Sequence, residues 1–312
     1  MTGPILAQIV RSGFVEGTHH GSVVVLDGAG AMVATAGDVE SAMFPRSSNK
    51  PAQAVAMVRA GLRVDAADLA LAAASHSGEP THVARVQAML AAGGLAESAL
   101  RCPPDLPIHE PSAHAVLAAG GGPTRVQMNC SGKHAAMLRT CQVANWKLES
   151  YLEPDHPLQV TLRDTVEELA AERSAATAVD GCGAPLFALS LHGLARTFLR
   201  LVDAPDGPER LVADAMRAHP ELVAGTGRDA TRLMAGVPGL LAKDGAEGVY
   251  AVALPGVGAV ALKIDDGAAR ARTPVLVSAL RRLGVTAPVL DELAETALLG
   301  GGKQVGAVTA VW

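Results

Sequence analysis

The segment Arg46–Lys50 contains a serine and a lysine three positions apart, a spacing suited to nucleophilic chemistry. Residues at positions i and i+3 of a helix lie on one face, so the Ser47 hydroxyl is predicted to lie beside the Lys50 amine. A serine is a weak nucleophile until a base takes its proton, and a buried lysine with a lowered pKa can be that base. A serine that merely caps a helix would show the same spacing.

Two further segments carry serine and lysine residues. Ser75–Ser77 follows the apolar run 69–74 and precedes a Gly-Glu-Pro turn, which predicts a loop at a helix end. Lys243–Gly245 immediately precedes a predicted strand. The order S-x-x-K, S-x-S and K-x-G resembles the arrangement in serine β-lactamases and penicillin-binding proteins. By this resemblance Ser47 is the nucleophile, and the backbone N–H groups of Ser47 and Ala246 form an oxyanion hole.

A second group of residues has the chemistry of a metal site. Cys130 and Cys182 supply two thiolates, and Asp180 supplies a carboxylate two positions before Cys182. Two thiolates and a carboxylate are competent to bind zinc. The chemistry leaves both His134 and Lys133 open as the fourth ligand, because histidine is the conventional donor and lysine must first lose its proton. Two buried free cysteines would account for the same residues without a metal.

The composition limits the classes of function. The 312 residues carry a net charge of −5, 49% of them are hydrophobic and 3% are aromatic. These values predict a globular chain and argue against a nucleic-acid partner, which needs a basic surface. No apolar run approaches the ~18 residues of a membrane span, so we expect no membrane partner. Because the sequence shows no recognisable secretion signal, we expect reduced cysteines and a cytoplasmic location.

The hydrophobic pattern places these segments in a split sheet. Strands are predicted within 4–37 and at 247–254, 257–264 and 305–312. Helices are predicted at 46–62, 66–74, 81–92, 112–119, 132–143, 157–173, 184–200, 208–218, 274–283 and 289–298. The predicted fold class is α/β (α+β), in a single domain of residues 1–312. Its antiparallel sheet comes from about 1–45 and 240–312, and a helical region of about 46–239 is inserted between them.

Four segments together resemble the thermolabile, Rhizobium-type L-asparaginases of the asparaginase II family, whose fold is similar to that of serine β-lactamases. The matching segments are Arg46–Pro51, Ala74–Glu79, Asn129–His134 and Asp180–Gly183. The resemblance implies a homodimer and two Ser–Lys pairs, namely Ser47 with Lys50 and Ser75 with Lys243. It also implies one zinc ion per chain held by four side chains, namely Cys130, Lys133, Asp180 and Cys182. With four protein ligands, the zinc is expected to position groups and not to activate water.

The same resemblance implies hydrolysis of the side-chain amide of L-asparagine to L-aspartate and ammonia through an acyl-enzyme. Arg46, Asn49 and Ser77 are candidate substrate contacts, together with Ala246. Lys263 is an alternative to Lys243 as the second catalytic lysine, although no glycine follows it closely. Two other functions fit the residues: a serine amidase, peptidase or β-lactamase-like hydrolase of the same fold, and a non-catalytic zinc-containing binding protein.

Overall fold

The structure, a computed structural model, describes residues 3–312. Its ten strands are β1 (Ile5–Arg11), β2 (Phe14–Asp27), β3 (Met32–Ala36), β4 (Thr177–Val179), β5 (Pro185–Phe187), β6 (Leu241–Asp244), β7 (Val249–Leu254), β8 (Gly258–Ile264), β9 (Glu295–Gly300) and β10 (Lys303–Ala310). All except β4 and β5 form one antiparallel sheet, in the order β6-β7-β8-β2-β1-β10-β9, with β3 also paired to β2. Both ends of the described chain therefore contribute to one sheet.

The long strand β2 joins the two parts of this sheet. It pairs with β1 and β3 from its own end of the chain, and with β8 from the other end, where Val25 lies opposite Val260. The run Val23–Leu26 is fully buried and consists of three valines and a leucine. Branched apolar side chains suit a pleated, covered surface, which explains why this run forms the centre of the sheet.

Residues 3–312 contain twelve α-helices, of which the first ten lie in the chain between the two parts of the sheet. They are α1 (Lys50–Arg59), α2 (Ala66–Ala72), α3 (Pro80–Ala91), α4 (Glu110–Ala118), α5 (Ser131–Val143), α6 (Pro157–Ala170), α7 (Leu191–Asp203), α8 (Gly207–Ala218), α9 (Pro220–Val223), α10 (Asp229–Gly236), α11 (Ala269–Arg282) and α12 (Pro288–Glu292). Short 3-10 helices occur at Arg46–Asn49 and Glu97–Ala99. Within residues 3–312, every helix is too short or too polar to serve as a membrane span.

Two helices, α7 and α11, pack on the sheet itself. Helix α7 contacts β2, β7 and β8, and α11 contacts β1, β8 and β10. Residues of β7 and β8 are buried in succession and do not alternate between buried and exposed, as expected for strands covered on both faces. Helices α1, α5, α6 and α8 pack on one another beside this core.

The predicted split antiparallel sheet with an inserted helical region is confirmed, but two predicted helices are wrong in part. In the predicted helix 184–200, residues 185–187 pair with β4, and α7 begins only after Ser190, whose hydroxyl accepts from the Gly193 N–H. The predicted helix 289–298 ends at Glu292, and Glu295–Gly300 forms strand β9 against β10. In both places strand pairing outweighs the local helical tendency of leucine, alanine and glutamate.

Candidate active site

Ser47 lies at the start of the helical region, in the 3-10 helix that leads directly into α1. The Ser48 hydroxyl donates to the carbonyl oxygen of Pro45 over 2.6 Å, which secures this first turn. The three residues after Ser47 are buried, whereas Ser47 itself is half-buried. The Ser47 side chain is therefore the most accessible of the four residues from Ser47 to Lys50.

The Lys50 amine is enclosed in the protein and has three hydrogen-bond partners. Lys50 is 1% exposed. Its Nζ donates to the Ala74 carbonyl over 2.7 Å, to Ser75 Oγ over 2.9 Å and to Cys130 Sγ over 3.0 Å. The amine thus connects α1 to the loop after α2 and to the residue before α5. A buried amine beside a hydroxyl is an arrangement suited to proton transfer.

The loop that carries Ser75 is held from several sides. The Ser75 N–H donates to the Val223 carbonyl over 3.0 Å, and the Ser75 carbonyl accepts from Arg228 Nη1 over 2.6 Å. The next residue, His76, is fully buried, and its Nε2 hydrogen-bonds to Ser131 Oγ over 2.8 Å. Burial holds the pKa of His76 well below its usual value, and nearby cationic groups act in the same direction. A neutral His76 therefore anchors the loop through a hydrogen bond, not through charge.

Lys243 lies in β6 and is fully buried. Its Nζ donates to the Asp244 carbonyl over 2.7 Å and to Asp244 Oδ1 over 2.9 Å. Burial lowers the pKa of Lys243 to about 8, the Asp244 carboxylate opposes this shift, and the charge of Lys50 adds to it. The two buried amines are therefore electrostatic neighbours within one site.

The Asp244 carboxylate is the centre of a buried charge network. Besides Lys243, its Oδ2 accepts from Arg228 Nη2 over 2.6 Å and from Arg272 Nη2 over 3.2 Å. Burial alone would raise the pKa of Asp244, but these three cations outweigh it and hold that pKa well below its usual range. Because Arg228 also binds the Ser75 carbonyl, Asp244 links Lys243 to the loop of Ser75.

Replacing Asp244 by asparagine is expected to lower the free energy of unfolding by about 3–5 kcal/mol, because Lys243, Arg228 and Arg272 would lose their shared buried counter-charge. Urea unfolding followed by circular dichroism measures this loss. The matched control is Asp214→Asn, which removes an exposed carboxylate that also pairs with two arginines. The control should lose less than about 1 kcal/mol, as exposed pairs do. Equal losses in the two variants would contradict the buried network.

The hydrogen bonds of the two lysines differ from the Ser–Lys pairs expected from the sequence. Ser75 Oγ bonds to Lys50, and the Lys243 amine is engaged by Asp244. Ser47 is not among the three partners of Lys50. The physical reason is that the loop after α2 positions the Ser75 hydroxyl next to the Lys50 amine. The Asp244 carboxylate, next to Lys243 in the chain, binds the Lys243 amine.

The turn after β6 packs directly against the helix that carries Ser47. A side chain at Gly245 would lie 2.7 Å from the Pro45 carbonyl oxygen and 3.4 Å from the Ser48 nitrogen. Glycine therefore permits a close approach that a larger residue would block. The approach brings the backbone of Ala246, which is exposed, to the side of the Ser47 segment.

Arg46, the residue before Ser47, has a left-handed backbone with φ of +52°. This conformation costs a residue with a side chain roughly 1–2 kcal/mol. Arg46 Nε donates to Asp180 Oδ1 over 2.8 Å, and Nη1 lies 3.5 Å from Glu247 Oε1. Glu247 is itself left-handed, with φ of +57°. Two residues with strained backbones therefore bring opposite charges together beside Ser47.

The other two candidate substrate contacts, Asn49 and Ser77, are buried. Asn49 is 3% exposed, and within residues 3–312 its Nδ2 has no hydrogen-bond partner. The Ser77 hydroxyl donates to the Ala224 carbonyl over 2.8 Å. A side chain at the next residue, Gly225, would clash with the Ser77 side chain. Ser77 therefore ties two loops together, whereas Asn49 retains an unused donor.

Cys130, Cys182 and Lys133 form a buried cluster next to Lys50. Lys133 Nζ lies 3.2 Å from Cys182 Sγ. The proximity of the two sulfurs raises the pKa of Cys130 and lowers that of Cys182. Burial would lower the pKa of Lys133, but the charge of Cys182 outweighs it and the pKa is raised. The cluster is therefore a buried amine in contact with the Cys182 sulfur, with the Cys130 sulfur nearby.

The remaining donors named from the sequence are His134 and Asp180. His134 Nδ1 bonds to the Tyr151 hydroxyl over 2.6 Å, and within residues 3–312 its buried Nε2 has no partner. The Asp180 carboxylate binds Arg46. In the described part of the chain, no three His, Cys, Asp or Glu side chains converge as a metal site requires. The donors in direct contact are the Cys182 sulfur and the Lys133 amine. The amine can bind zinc only after it loses its proton, which its raised pKa opposes in the absence of a metal.

Three residues of the site were not found by sequence reasoning, namely Arg228, Asp244 and Glu247. Asp244 lies inside the K-x-G segment, so a buried carboxylate next to a buried lysine was a signal available in the sequence. Arg228 is 153 residues from its partner Ser75, and no local pattern connects the two.

Comparison with family models places the chain in a known protein family. The matching family model is that of L-asparaginase II, over residues 7–310, and the chain belongs to this family. No curated protein matches the sequence.

Several solved structures are similar at low sequence identity. The native form of Mglu is 16% identical, with 85% of this chain and 63% of that chain covered and a TM-score of 0.44. The chain thus spans less than two thirds of the length of Mglu. A putative β-lactamase from Bacteroides dorei is 14% identical, with 85% and 93% covered and a TM-score of 0.48. A Bacillus subtilis glutaminase in a covalent complex with 5-oxo-L-norleucine is 17% identical, with 78% and 79% covered and a TM-score of 0.34.

Proposed function

We propose that this protein hydrolyses the side-chain amide of L-asparagine to L-aspartate and ammonia, with Ser47 as the nucleophile. Family membership supports the reaction type. The observation that carries the mechanism is the buried Lys50 amine, which lies one helical turn after the accessible Ser47 and 2.9 Å from Ser75 Oγ.

In the first half-reaction, Lys50 acts as the base that takes the Ser47 proton, and Ser47 Oγ attacks the amide carbon of asparagine. We assign the backbone N–H groups of Ser47 and Ala246 to stabilise the oxyanion that forms, and the close approach of Gly245 to the Ser47 helix supports this assignment. The proton then passes from Lys50 through Ser75 to the leaving nitrogen, the C–N bond breaks and ammonia departs. A β-aspartyl ester of Ser47 remains.

In the second half-reaction, water attacks the ester carbonyl and gives its proton to the same Lys50–Ser75 pair. The ester bond breaks, aspartate leaves and Ser47 recovers its proton. Lys243 supplies a compact positive charge close to this pair, and Asp244 fixes where that charge lies. Arg228 holds the Ser75 carbonyl, so the relay hydroxyl stays in place during both steps.

We also propose that zinc binds at Cys130, Lys133, Asp180 and Cys182. Support comes from the contact of the Cys182 sulfur with the Lys133 amine and from the burial of Cys130 nearby. When bound, zinc would supply a fixed double positive charge that holds the loops of Cys130 and Asp180 beside the substrate. His134, which lies close enough to Cys182 to lower the pKa of that thiol, remains the alternative to Lys133.

Replacing Cys182 by serine is expected to reduce the zinc content of purified protein from about one ion per chain to less than about a tenth, because the thiolate is the strongest donor of the set. Inductively coupled plasma mass spectrometry measures the content. Cys141→Ser is the control, since Cys141 is a buried free cysteine in α5, away from these donors. Equal zinc in the two variants, or no zinc in the wild type, would contradict the site.

The enzyme is further proposed to act as a cytoplasmic homodimer, as the family resemblance implies. The decisive experiment for the function is an ammonia-release assay on asparagine and on glutamine, with and without a chelator. Faster release from asparagine supports the proposal. Equal or faster release from glutamine would make the protein a glutaminase, and labelling of Ser47 by penicillin without ammonia release would make it a β-lactamase-like hydrolase.

A further inference from the structure

Two of the five non-glycine residues with positive φ in residues 3–312 lie at the proposed site. They are Arg46, directly before Ser47, and Glu247, directly after Ala246. Non-glycine residues in this region persist only where the surrounding structure holds them, and they concentrate at sites where a side chain must point in a required direction. Here the two side chains point at each other, with Arg46 Nη1 3.5 Å from Glu247 Oε1.

The turn that contains Glu247 is held by a contact to its backbone, and its carboxylate is exposed to solvent. Lys263 Nζ donates to the Glu247 backbone carbonyl over 2.8 Å. A side chain at Gly267 would lie 3.0 Å from Glu247 Oε2, so glycine there leaves room for the carboxylate. Lys263, the rival second lysine of the sequence analysis, thus supports the turn after β6 and lies away from the two serines.

The Arg46–Glu247 pair contributes little to the stability of the fold. The Glu247 side chain is 64% exposed and that of Arg46 is 25% exposed. Exposed ion pairs of this kind stabilise a protein only weakly. Arg46 is anchored through Nε, which donates to Asp180 over 2.8 Å, whereas its outer nitrogen Nη1 makes only the longer contact with Glu247. The strained backbones of Arg46 and Glu247 are therefore not explained by a contribution of their ion pair to the stability of the fold.

We propose that Arg46 and Glu247 bind the two charged ends of a free α-amino acid. The Arg46 guanidinium takes the α-carboxylate, as guanidinium groups do with two parallel hydrogen bonds, and the Glu247 carboxylate takes the α-ammonium. This makes Glu247 a specificity-determining residue. The inference rests on the proposed asparagine hydrolysis and extends it to the way in which the substrate is recognised.

The chemistry of asparagine fits this placement. One methylene group separates its side-chain amide from the α-carbon, so an amide carbon at Ser47 leaves both α-groups within reach of neighbouring side chains. Arg46 and Glu247 lie on the two chain segments that Gly245 brings together at Ser47. Substrate binding exchanges the weak Arg46–Glu247 pair for two pairs with the substrate. An amide without an α-ammonium gains only one of them.

The test compares asparagine with succinamate, which is asparagine without its α-amino group. Steady-state ammonia release gives kcat/KM for both substrates in the wild type and in Glu247→Gln. We expect the wild type to prefer asparagine about 10- to 100-fold, the range for one charged hydrogen-bonded contact. In Glu247→Gln this preference should fall to within about threefold. The change should come from a raised KM for asparagine.

Two further variants separate binding from folding. Glu16→Gln removes another exposed carboxylate that pairs with an arginine, in β2, and should keep the full preference for asparagine. Glu247→Gly accepts the left-handed backbone without strain and should lose the preference as Glu247→Gln does. An unchanged preference in either Glu247 variant, with asparagine still hydrolysed, overturns this inference and leaves the proposed function standing. No ammonia from asparagine in the wild type overturns both.

Discussion

Replacing Ser47 by alanine is expected to abolish ammonia release from asparagine, with a fall in kcat of at least about 10⁴-fold. Removal of a nucleophile takes away the acyl-enzyme route altogether, and comparable removals in serine hydrolases have effects of this order. The coupled glutamate dehydrogenase assay for ammonia measures it. The variant should fold normally, because Ser47 is half-buried and its neighbour Ser48 makes the hydrogen bond that secures the turn.

Ser48→Ala is the matched control for this prediction. It removes a hydroxyl from the adjacent residue, one that donates to the Pro45 carbonyl over 2.6 Å. We expect a loss of about 1 kcal/mol in the free energy of unfolding and turnover within a fewfold of the wild type. Near-normal turnover in Ser47→Ala, or an equal loss in both variants, would show that Ser47 is not the nucleophile.

Replacing Lys50 by methionine is the second prediction with a large effect. Methionine fills the space of the lysine stem and cannot carry a proton. Because Lys50 is the amine that we assign as base, kcat should fall about 10²- to 10⁴-fold, the usual contribution of a general base. Ammonia release at saturating asparagine measures kcat.

The control here is Lys147→Met, the same substitution at an exposed lysine. It should leave ammonia release unchanged. Thermal unfolding of Lys50→Met checks the fold, since replacing a buried charge by an apolar side chain of similar volume is often tolerated. A folded Lys50→Met variant with wild-type kcat would remove Lys50 from the mechanism.

The sequence predicts the architecture well where the pattern is local and strong. The valine and leucine run of β2 and the hairpin of β7 and β8 are confirmed, because alternation or continuous burial marks such strands. The errors fall where a segment pairs with a distant one. The segment Glu295–Gly300 contains helix-forming residues, yet it forms a strand because it pairs with β10.

The candidate site was predicted as two separate groups, the Ser–Lys residues and the cysteines. The structure places them in contact, since the Lys50 amine lies 3.0 Å from Cys130 Sγ. It also places Ser75 with Lys50 and gives Lys243 to Asp244. Spacing along the chain indicates which residues share a helical turn. It cannot indicate whether Ser75, 25 residues after Lys50, will contact the amine of Lys50 or that of Lys243.

The pairing of β2 with β8 sets a timescale for synthesis of the protein. Val25 leaves the ribosome about 235 residues before its partner Val260, which is roughly 10 to 50 s at usual rates of translation. Throughout that interval, the edge of β2 that pairs with β8 lacks its partner strand, although β1 and β3 have already been made. The helices between β3 and β6 are synthesised before β8. An unpaired, valine-rich edge is an aggregation hazard, so the nascent chain has a defined period during which protection by a chaperone matters most.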